Sequence, residues 1–134
     1  MLLDANVLIF FNDPNSVFHS EVVLLLQQLR ELNNSFVITP AILNEVHYFY
    51  LRRDGHSVAK LAVETLLSVP GFLLEDILLD ELAIKELSAI SEKNTMATFD
   101  ATHVLYCKKL GIKKIVSYDK RFDRVKGMER IYQL

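Results

Sequence analysis

The sequence predicts an α/β protein: a central, twisted, parallel sheet of about four to five strands with helices on both faces. Three observations carry that expectation. Short apolar runs stand at Met1–Leu3, Phe36–Ile38, Phe72–Leu74 and Ile115–Ser117, each too brief for a helix. The segments between them repeat apolar residues at three- and four-residue spacing, which is helical. Capping residues, prolines and glycines punctuate the junctions. Strands alternating with helices build βαβ units, and their crossovers are right-handed.

In chain order, Met1–Leu3 is a strand stub that runs into Asp4-Ala5-Asn6 and a short helix over Val7–Phe11. Asp13-Pro14-Asn15 signals a turn. Val22, Leu25, Leu26, Leu29 and Leu32 share one helical face, so roughly residues 16–33 form a helix, closed by Asn33-Asn34. Phe36-Val37-Ile38 is a buried strand. Thr39 is an N-cap with Pro40 at the first helical position. Ile42, Val46, Phe49 and Arg53 then share a face of a helix that ends near Asp54-Gly55. Residues 56–68 are helical again, stopped by Pro70-Gly71, and Phe72-Leu73-Leu74 is a third strand. Asp80 caps a helix carrying Leu82, Leu87 and Ile90; Thr98 caps the next, which runs to Gly111. Ile115-Val116-Ser117 is the fourth strand, and Arg130–Leu134 a short edge strand.

At 134 residues, with no repeat, low-complexity tract or Gly/Ser linker, the chain is expected to be one domain over 1–134. Hydrophobic residues make up 51%, enough for a core without disulfides and high enough to expect apolar surface covered by a partner such as a second copy. Cys107 is the only cysteine, which excludes an internal disulfide and a cysteine zinc cluster and suits a reducing, cytoplasmic setting. No basic start with a long apolar run marks a signal peptide, and no stretch is long enough for a membrane span. Residues 1–100 hold 6 Lys/Arg against 14 Asp/Glu, whereas 101–134 hold 9 against 3. The basic last third suits phosphate contact, although Lys108, Lys109, Lys113, Lys114 and Lys126 also read as a solvated face.

In a parallel sheet every strand ends at one edge and each following helix begins there, so ligands bind at that edge. Asp4 lies just past the first strand, and Glu45 on the second turn of the helix after the second. Asp100 lies in the first turn of the helix that feeds the fourth strand, and Asp119 two residues beyond Ser117. Glu75, Asp76, Asp80 and Glu81 approach the same edge, but as an acidic run of the ordinary solvated kind. The first four sit among apolar neighbours, and at the shared edge they are expected to converge without lysine or arginine neighbours. Burying such acids is costly, and together they repel and retain protons. A divalent cation removes both problems, and carboxylate oxygens are hard ligands that match Mg²⁺ or Mn²⁺. The set can then activate water and stabilise the leaving oxygen of a phosphodiester.

Each acid also has a plainer role open to it: strand end, helix-face charge, first-turn acid or turn residue. Among the histidines (His19, His47, His56 and His103) none forms an HxxxH pair. His103 stands out because it follows Asp100 by three residues on one helical face.

Leu3-Asp4-Ala5-Asn6-Val7-Leu8-Ile9, Glu45-Val46 after Thr39-Pro40, Phe99-Asp100-Ala101, and Val116-Ser117-Tyr118-Asp119-Lys120-Arg121-Phe122-Asp123 stand in that order across essentially the whole chain. Together they resemble the four motifs of PIN domains, the last being a Ser/Thr-x-Asp-x-x-Phe signature. The resemblance implies a PilT N-terminus-like fold and Mg²⁺- or Mn²⁺-dependent cleavage of RNA. It also implies that Asp4, Glu45, Asp100 and Asp119 hold the metal, with Asn6 and Ser117 orienting ligands and water by hydrogen bonds. Asp123 matches an acid seen after the Phe and stays outside the core set. A stand-alone domain of this size is similar to VapC-type toxins of toxin–antitoxin pairs, which implies an antitoxin partner and a homodimer. The net acidity departs from the commoner toxin pattern, but Lys120, Arg121 and Arg124 beside Asp119 offer an RNA face. A haloacid-dehalogenase-type phosphatase needs a second Asp where Asn6 stands, and a receiver domain needs its acids in another order. The serious alternatives are a non-catalytic PIN fold that binds RNA or protein, and a PIN nuclease of RNA processing without an antitoxin.

Overall fold

The four apolar runs pair as parallel strands, and a fifth strand joins them at the C-terminal end. The computed structural model describes residues 1–134. The elements are β1 (Leu2–Leu3), α1 (Ala5–Asn12), α2 (His19–Glu31), β2 (Phe36–Ile38), α3 (Pro40–Asp54) and α4 (His56–Leu67). They continue with β3 (Phe72–Leu74), α5 (Glu81–Asn94), α6 (Thr98–Lys109), β4 (Lys114–Val116), a 3₁₀ turn (Lys120–Arg124) and β5 (Glu129–Ile131).

The sheet order is β3-β2-β1-β4-β5, with every pair parallel. Leu2 pairs with Val37 on one side and Ile115 on the other, and Leu3 pairs with Val116. Neighbouring residues of a strand point to opposite faces. Leu2 and Leu3 are both 0% exposed, so both faces of the sheet centre are covered. Right-handed crossovers give the same result. The chain steps from β1 outward to β2 and β3, placing α1–α4 on one face, then returns past β1 to β4 with α5 and α6 on the other. Contacts of α1 with α2, α3 and α4, and of α5 with α6, agree with that division. No helix is long and apolar enough to cross a membrane.

Local chemistry explains where the elements begin. Asp4, in extended backbone, accepts the Ala5 amide at 2.7 Å and starts α1 two residues earlier than Val7. Thr39 caps α3 through the Ile42 amide at 3.3 Å, and Asp80 caps α5 through Ala83 at 2.8 Å. Thr98 does not cap α6. It is already helical, Ala97 is the cap residue, and no side chain bonds there. Strand β4 ends at Val116, one residue before the expected Ser117, and β5 starts at Glu129 rather than Arg130.

Two helix faces differ from the periodicity estimate. In α3 the buried residues are Ile42, Leu43, Val46 and Tyr50, while Phe49 and Arg53 turn outward. Arg53 instead lies over the Phe49 and Tyr50 rings, 5.1 Å from each centroid, and pairs with Asp13 at 2.6 Å. The 3.6-residue turn carries 42, 46 and 50 along one line, so a polar-tipped Tyr wins the inward place. Its hydroxyl donates to the Ile9 carbonyl at 3.3 Å. In α5 Ala83 is the fully buried residue, Leu87 and Ile90 pack partly buried against the core as expected, and Leu82 is exposed. On α2, Val22, Leu25, Leu26 and Leu29 enter the core from the face their spacing predicts, while Leu32, Val23 and Leu24 are exposed.

Candidate active site

The chain reverses its direction of travel across the sheet between β1 and β4. That is the topological switch point, where the ends of adjacent strands part and leave a crevice. Asp4 follows β1 and Ser117 follows β4, side by side, with the Asp4 amide donating to the Val116 carbonyl at 3.0 Å. Four polar or charged residues are buried in the molecule: Asp4, Thr39, His103 and Ser117. Three of them meet here.

The Asp4 carboxylate is held by three donors. Oδ1 accepts the Ala5 amide, and Oδ2 accepts Asn6 Nδ2 at 2.6 Å and the Ser117 hydroxyl at 2.5 Å. Ser117 Oγ in turn accepts the Asp119 amide at 2.9 Å and Asn6 Nδ2 at 3.3 Å. Asn6 Oδ1 accepts the Tyr118 amide at 3.3 Å. Asn6 and Ser117 therefore tie the start of α1 to the loop after β4 and leave Asp4 one orientation.

Glu45 arrives from α3 and meets α6. His103 Nε2 lies 2.8 Å from Glu45 Oε1 and 3.8 Å from Asp4 Oδ1. The Glu45 contact is close but off the N–H axis, so neither Glu45 Oε1 nor either ring nitrogen has an aligned hydrogen bond. One turn earlier on α6, Asp100 Oδ2 lies 2.7 Å from Arg121 Nη1, again without alignment. Arg121 Nε donates to Asp119 Oδ2 at 2.8 Å, and Nη2 contacts the same oxygen. Asp119 Oδ1 accepts the Arg121 amide and caps the 3₁₀ turn.

The charges follow from this geometry. Burial pushes the Asp4 carboxyl above its usual range against His103, Ser117 and Ala5, and Glu45 adds to the push. Burial also raises Asp100; Arg121 opposes, while Asp119 and Asp4 reinforce it. For His103, burial alone would lower the pKa, but Glu45, Asp4 and Asp100 outweigh it and hold the imidazole above its ordinary value. The Arg121 guanidinium keeps Asp119 below the carboxylate range, with burial opposing.

All four predicted acids thus stand at one crevice, with Asn6 and Ser117 on Asp4. Two expectations change. The acids do not lack basic neighbours: Arg121 sits on Asp119 and Asp100, and His103 on Glu45 and Asp4. Arg121, expected on the RNA face with Lys120 and Arg124, is exposed as they are, but its guanidinium engages Asp119 and Asp100. His103 was visible only as a histidine three residues from Asp100. Arg130 carried no sequence signal at all, yet it grips Asp123 at 2.8 and 3.0 Å and donates to the Ser117 carbonyl at 3.1 Å. Asp123 therefore reaches the site only through Arg130. Tyr118 braces the same loop by donating to Glu21 at 2.7 Å and packing on Phe10 and Phe18.

The basic last third is partly neutralised at other places. Lys108 and Lys109 contact Glu86, and Lys114 pairs with Glu129 at 3.2 Å. A groove of about 520 Å³ lies there, between α5, α6 and residues 111–113 and 125–128, away from the acids.

The chemistry of the donors suits a divalent metal. The ligands are hard oxygens, and Glu45 Oε1 and Asp100 Oδ2 are buried without aligned partners. As they stand, no three or more acidic or histidine groups close into a metal-holding set. In this arrangement His103 engages Glu45, and Arg121 engages Asp100 and Asp119.

A parallel α/β fold with acids gathered at its switch point defines a class of ligand-binding sites. This chain belongs to the PIN domain family, whose sequence profile matches residues 1–128. Among solved structures it is similar to VapC20 of Mycobacterium tuberculosis, described as a Sarcin-Ricin loop cleaving toxin. The identity is 20%, 88% of each chain is covered and the TM-score is 0.66. It is also similar to VapBC2 of Rickettsia felis bound to a promoter DNA fragment. There the identity is 13%, with 97% of this chain and 96% of that chain covered and a TM-score of 0.69. Comparison with curated proteins gives no significant match. At these identities the structural likeness is one of fold.

Proposed function

We propose that the protein is a metal-dependent endoribonuclease that hydrolyses RNA phosphodiester bonds, and that it is the toxin of a toxin–antitoxin pair. The observation that carries this reading is the convergence of Asp4, Glu45, Asp100 and Asp119 on one crevice, where the buried Glu45 Oε1 and Asp100 Oδ2 are met only by unaligned contacts from His103 and Arg121. Buried oxygens without aligned hydrogen bonds cost stability, and a divalent ion would complete them more fully than these contacts do. The VapC likeness of the fold supports the toxin half.

In this reading the four acids hold Mg²⁺ or Mn²⁺. The bound ion supplies charge neutralisation at the phosphate and an activated water. Asn6 and Ser117 fix the Asp4 carboxylate, so no reorganisation is needed as substrate arrives. His103 keeps Glu45 turned toward Asp4. Lys120 and Arg124, exposed next to Asp119, take the RNA backbone. An antitoxin protein silences the site, the protein acts in the cytoplasm, and exposed apolar side chains such as Leu24 and Leu61 lie in a homodimer or antitoxin contact.

One observation favours a second reading, a PIN fold that binds RNA or protein without cutting. His103 and Arg121 already offset the acids, as a purely structural network would. Cleavage of a labelled single-stranded RNA in Mg²⁺, Mn²⁺ or EDTA separates the two, with wild type beside Asp4→Asn and Asp100→Asn. Metal-dependent cutting that both variants lose by at least about a hundredfold supports the nuclease, that being a typical cost of losing one charge-stabilising group. Folded wild type that neither cuts nor binds Mn²⁺ supports the binding module. Growth arrest on expression, relieved by the product of a neighbouring reading frame, tests the toxin assignment.

A further inference from the structure

The site holds two basic side chains of its own, and they are held very differently. His103 is 1% exposed and fixed by packing on α6. The Arg121 side chain is 47% exposed, stands on a five-residue 3₁₀ turn and has only Asp119 and Asp100 as partners. We infer that Arg121 is an exchangeable internal cation that competes with the divalent ion for Asp100 and Asp119.

Charge and space decide the matter. Arg121 Nη1 takes Asp100 Oδ2, while Nε and Nη2 take Asp119 Oδ2. A divalent ion held by these two acids would lie against the guanidinium, so the two cations would oppose each other's binding. Asp100 Oδ2 is off the N–H axis and remains without an aligned hydrogen bond. The guanidinium therefore neutralises that oxygen without satisfying it, and its hold is weaker than that of a paired fork. With nearly half its surface in solvent, the side chain can leave without unpacking the core. His103 cannot. The arrangement keeps the acids neutralised while no ion is bound. When the ion enters, it frees a planar, permanently charged fork beside Lys120 and Arg124.

The inference rests on the carboxylate site holding a divalent ion, and the test separates the two claims. Mn²⁺ binding is measured by calorimetry on metal-free wild type, Arg121→Gln, Arg121→Lys and Lys113→Gln. Melting in EDTA and in Mn²⁺ is followed in parallel. Arg121→Gln is expected to bind Mn²⁺ on the order of tenfold tighter, the scale of losing two exposed ion pairs that the metal otherwise has to break. Arg121→Lys, a point charge unable to span both acids, is expected to fall between, and it carries the test if the Gln variant does not fold. Lys113→Gln removes the same charge away from the site and is expected to bind within twofold of wild type. In EDTA, Arg121→Gln is expected to melt below wild type and to regain the difference in Mn²⁺. Unchanged or weaker binding in both Arg121 variants, with wild type binding normally, overturns the competition alone. Folded wild type and variants that all fail to bind Mn²⁺ overturn the metal site and the competition with it.

Discussion

Replacing Ser117 by alanine is expected to destabilise the metal-free protein by about 3 kcal/mol, because its hydroxyl is used on every side. It donates to the buried Asp4 carboxylate at 2.5 Å, and a hydrogen bond to a charged group is worth about 1.5–3 kcal/mol. It also accepts the Asp119 amide at 2.9 Å, a half-buried donor whose desertion costs about 1 kcal/mol or more. The bond from Asn6 at 3.3 Å is long and adds little. Ser117 is fully buried, so water does not replace the lost oxygen. With a urea m-value of about 1.5–2 kcal/mol/M, the unfolding midpoint drops by about 1.5–2 M at constant slope.

A pH arm separates the Asp4 bond from the rest. At pH 3, below the ordinary carboxylate range and further below the raised value of Asp4, the partner is a neutral acid. A neutral hydrogen bond contributes about half as much, so the loss shrinks to about 2 kcal/mol. A loss under about 0.5 kcal/mol at pH 7, or one that does not shrink at pH 3, would falsify the account of Ser117 as the clasp of Asp4.

Two further outcomes follow from the same network. His103 has a raised folded-state value, so its contribution to metal-free stability is full below about pH 6.5 and is lost as pH rises through the folded value. Urea titrations of wild type between pH 6 and 9 are therefore expected to show a fall that His103→Gln lacks; parallel curves would remove His103 as the counter-charge. Arg130, with its side chain 6% exposed, links Asp123 to the Ser117 carbonyl, so Arg130→Met is expected to cost about 2 kcal/mol and to weaken Mn²⁺ binding. Loss of stability with Mn²⁺ affinity unchanged would make that link structural only.

Much of this arrangement was legible before any coordinates. The apolar triplets at 36–38 and 72–74 are strands with those very bounds, because a run flanked by a cap signal or a Pro-Gly turn has no other way to lie. The caps at Thr39 and Asp80 act as their positions suggested, whereas Thr98 does not. Strand order was not legible. Nothing local says that β4 inserts beside β1, since that choice is made by right-handed crossovers and by the burial of Leu2, Leu3, Ile115 and Val116 together.

The same division holds for the site. Acids set among apolar residues at strand and helix ends announce themselves in one dimension, because their burial cost is local. Their counter-charges do not. A surface arginine and one two residues past an aspartate look alike in sequence, and Arg121 turns inward only because the 3₁₀ turn brings it within reach of Asp100 on α6. His103 likewise gains its partners from α3 and β1, which pack against α6 from remote parts of the chain. The sequence by itself set out the strands, the caps at Thr39 and Asp80 and the placement of the four acids at strand and helix ends, which depend on neighbours a few residues away. Which cation faces which acid was decided only by tertiary structure, because such pairs form across elements whose separation along the chain carries no local signal.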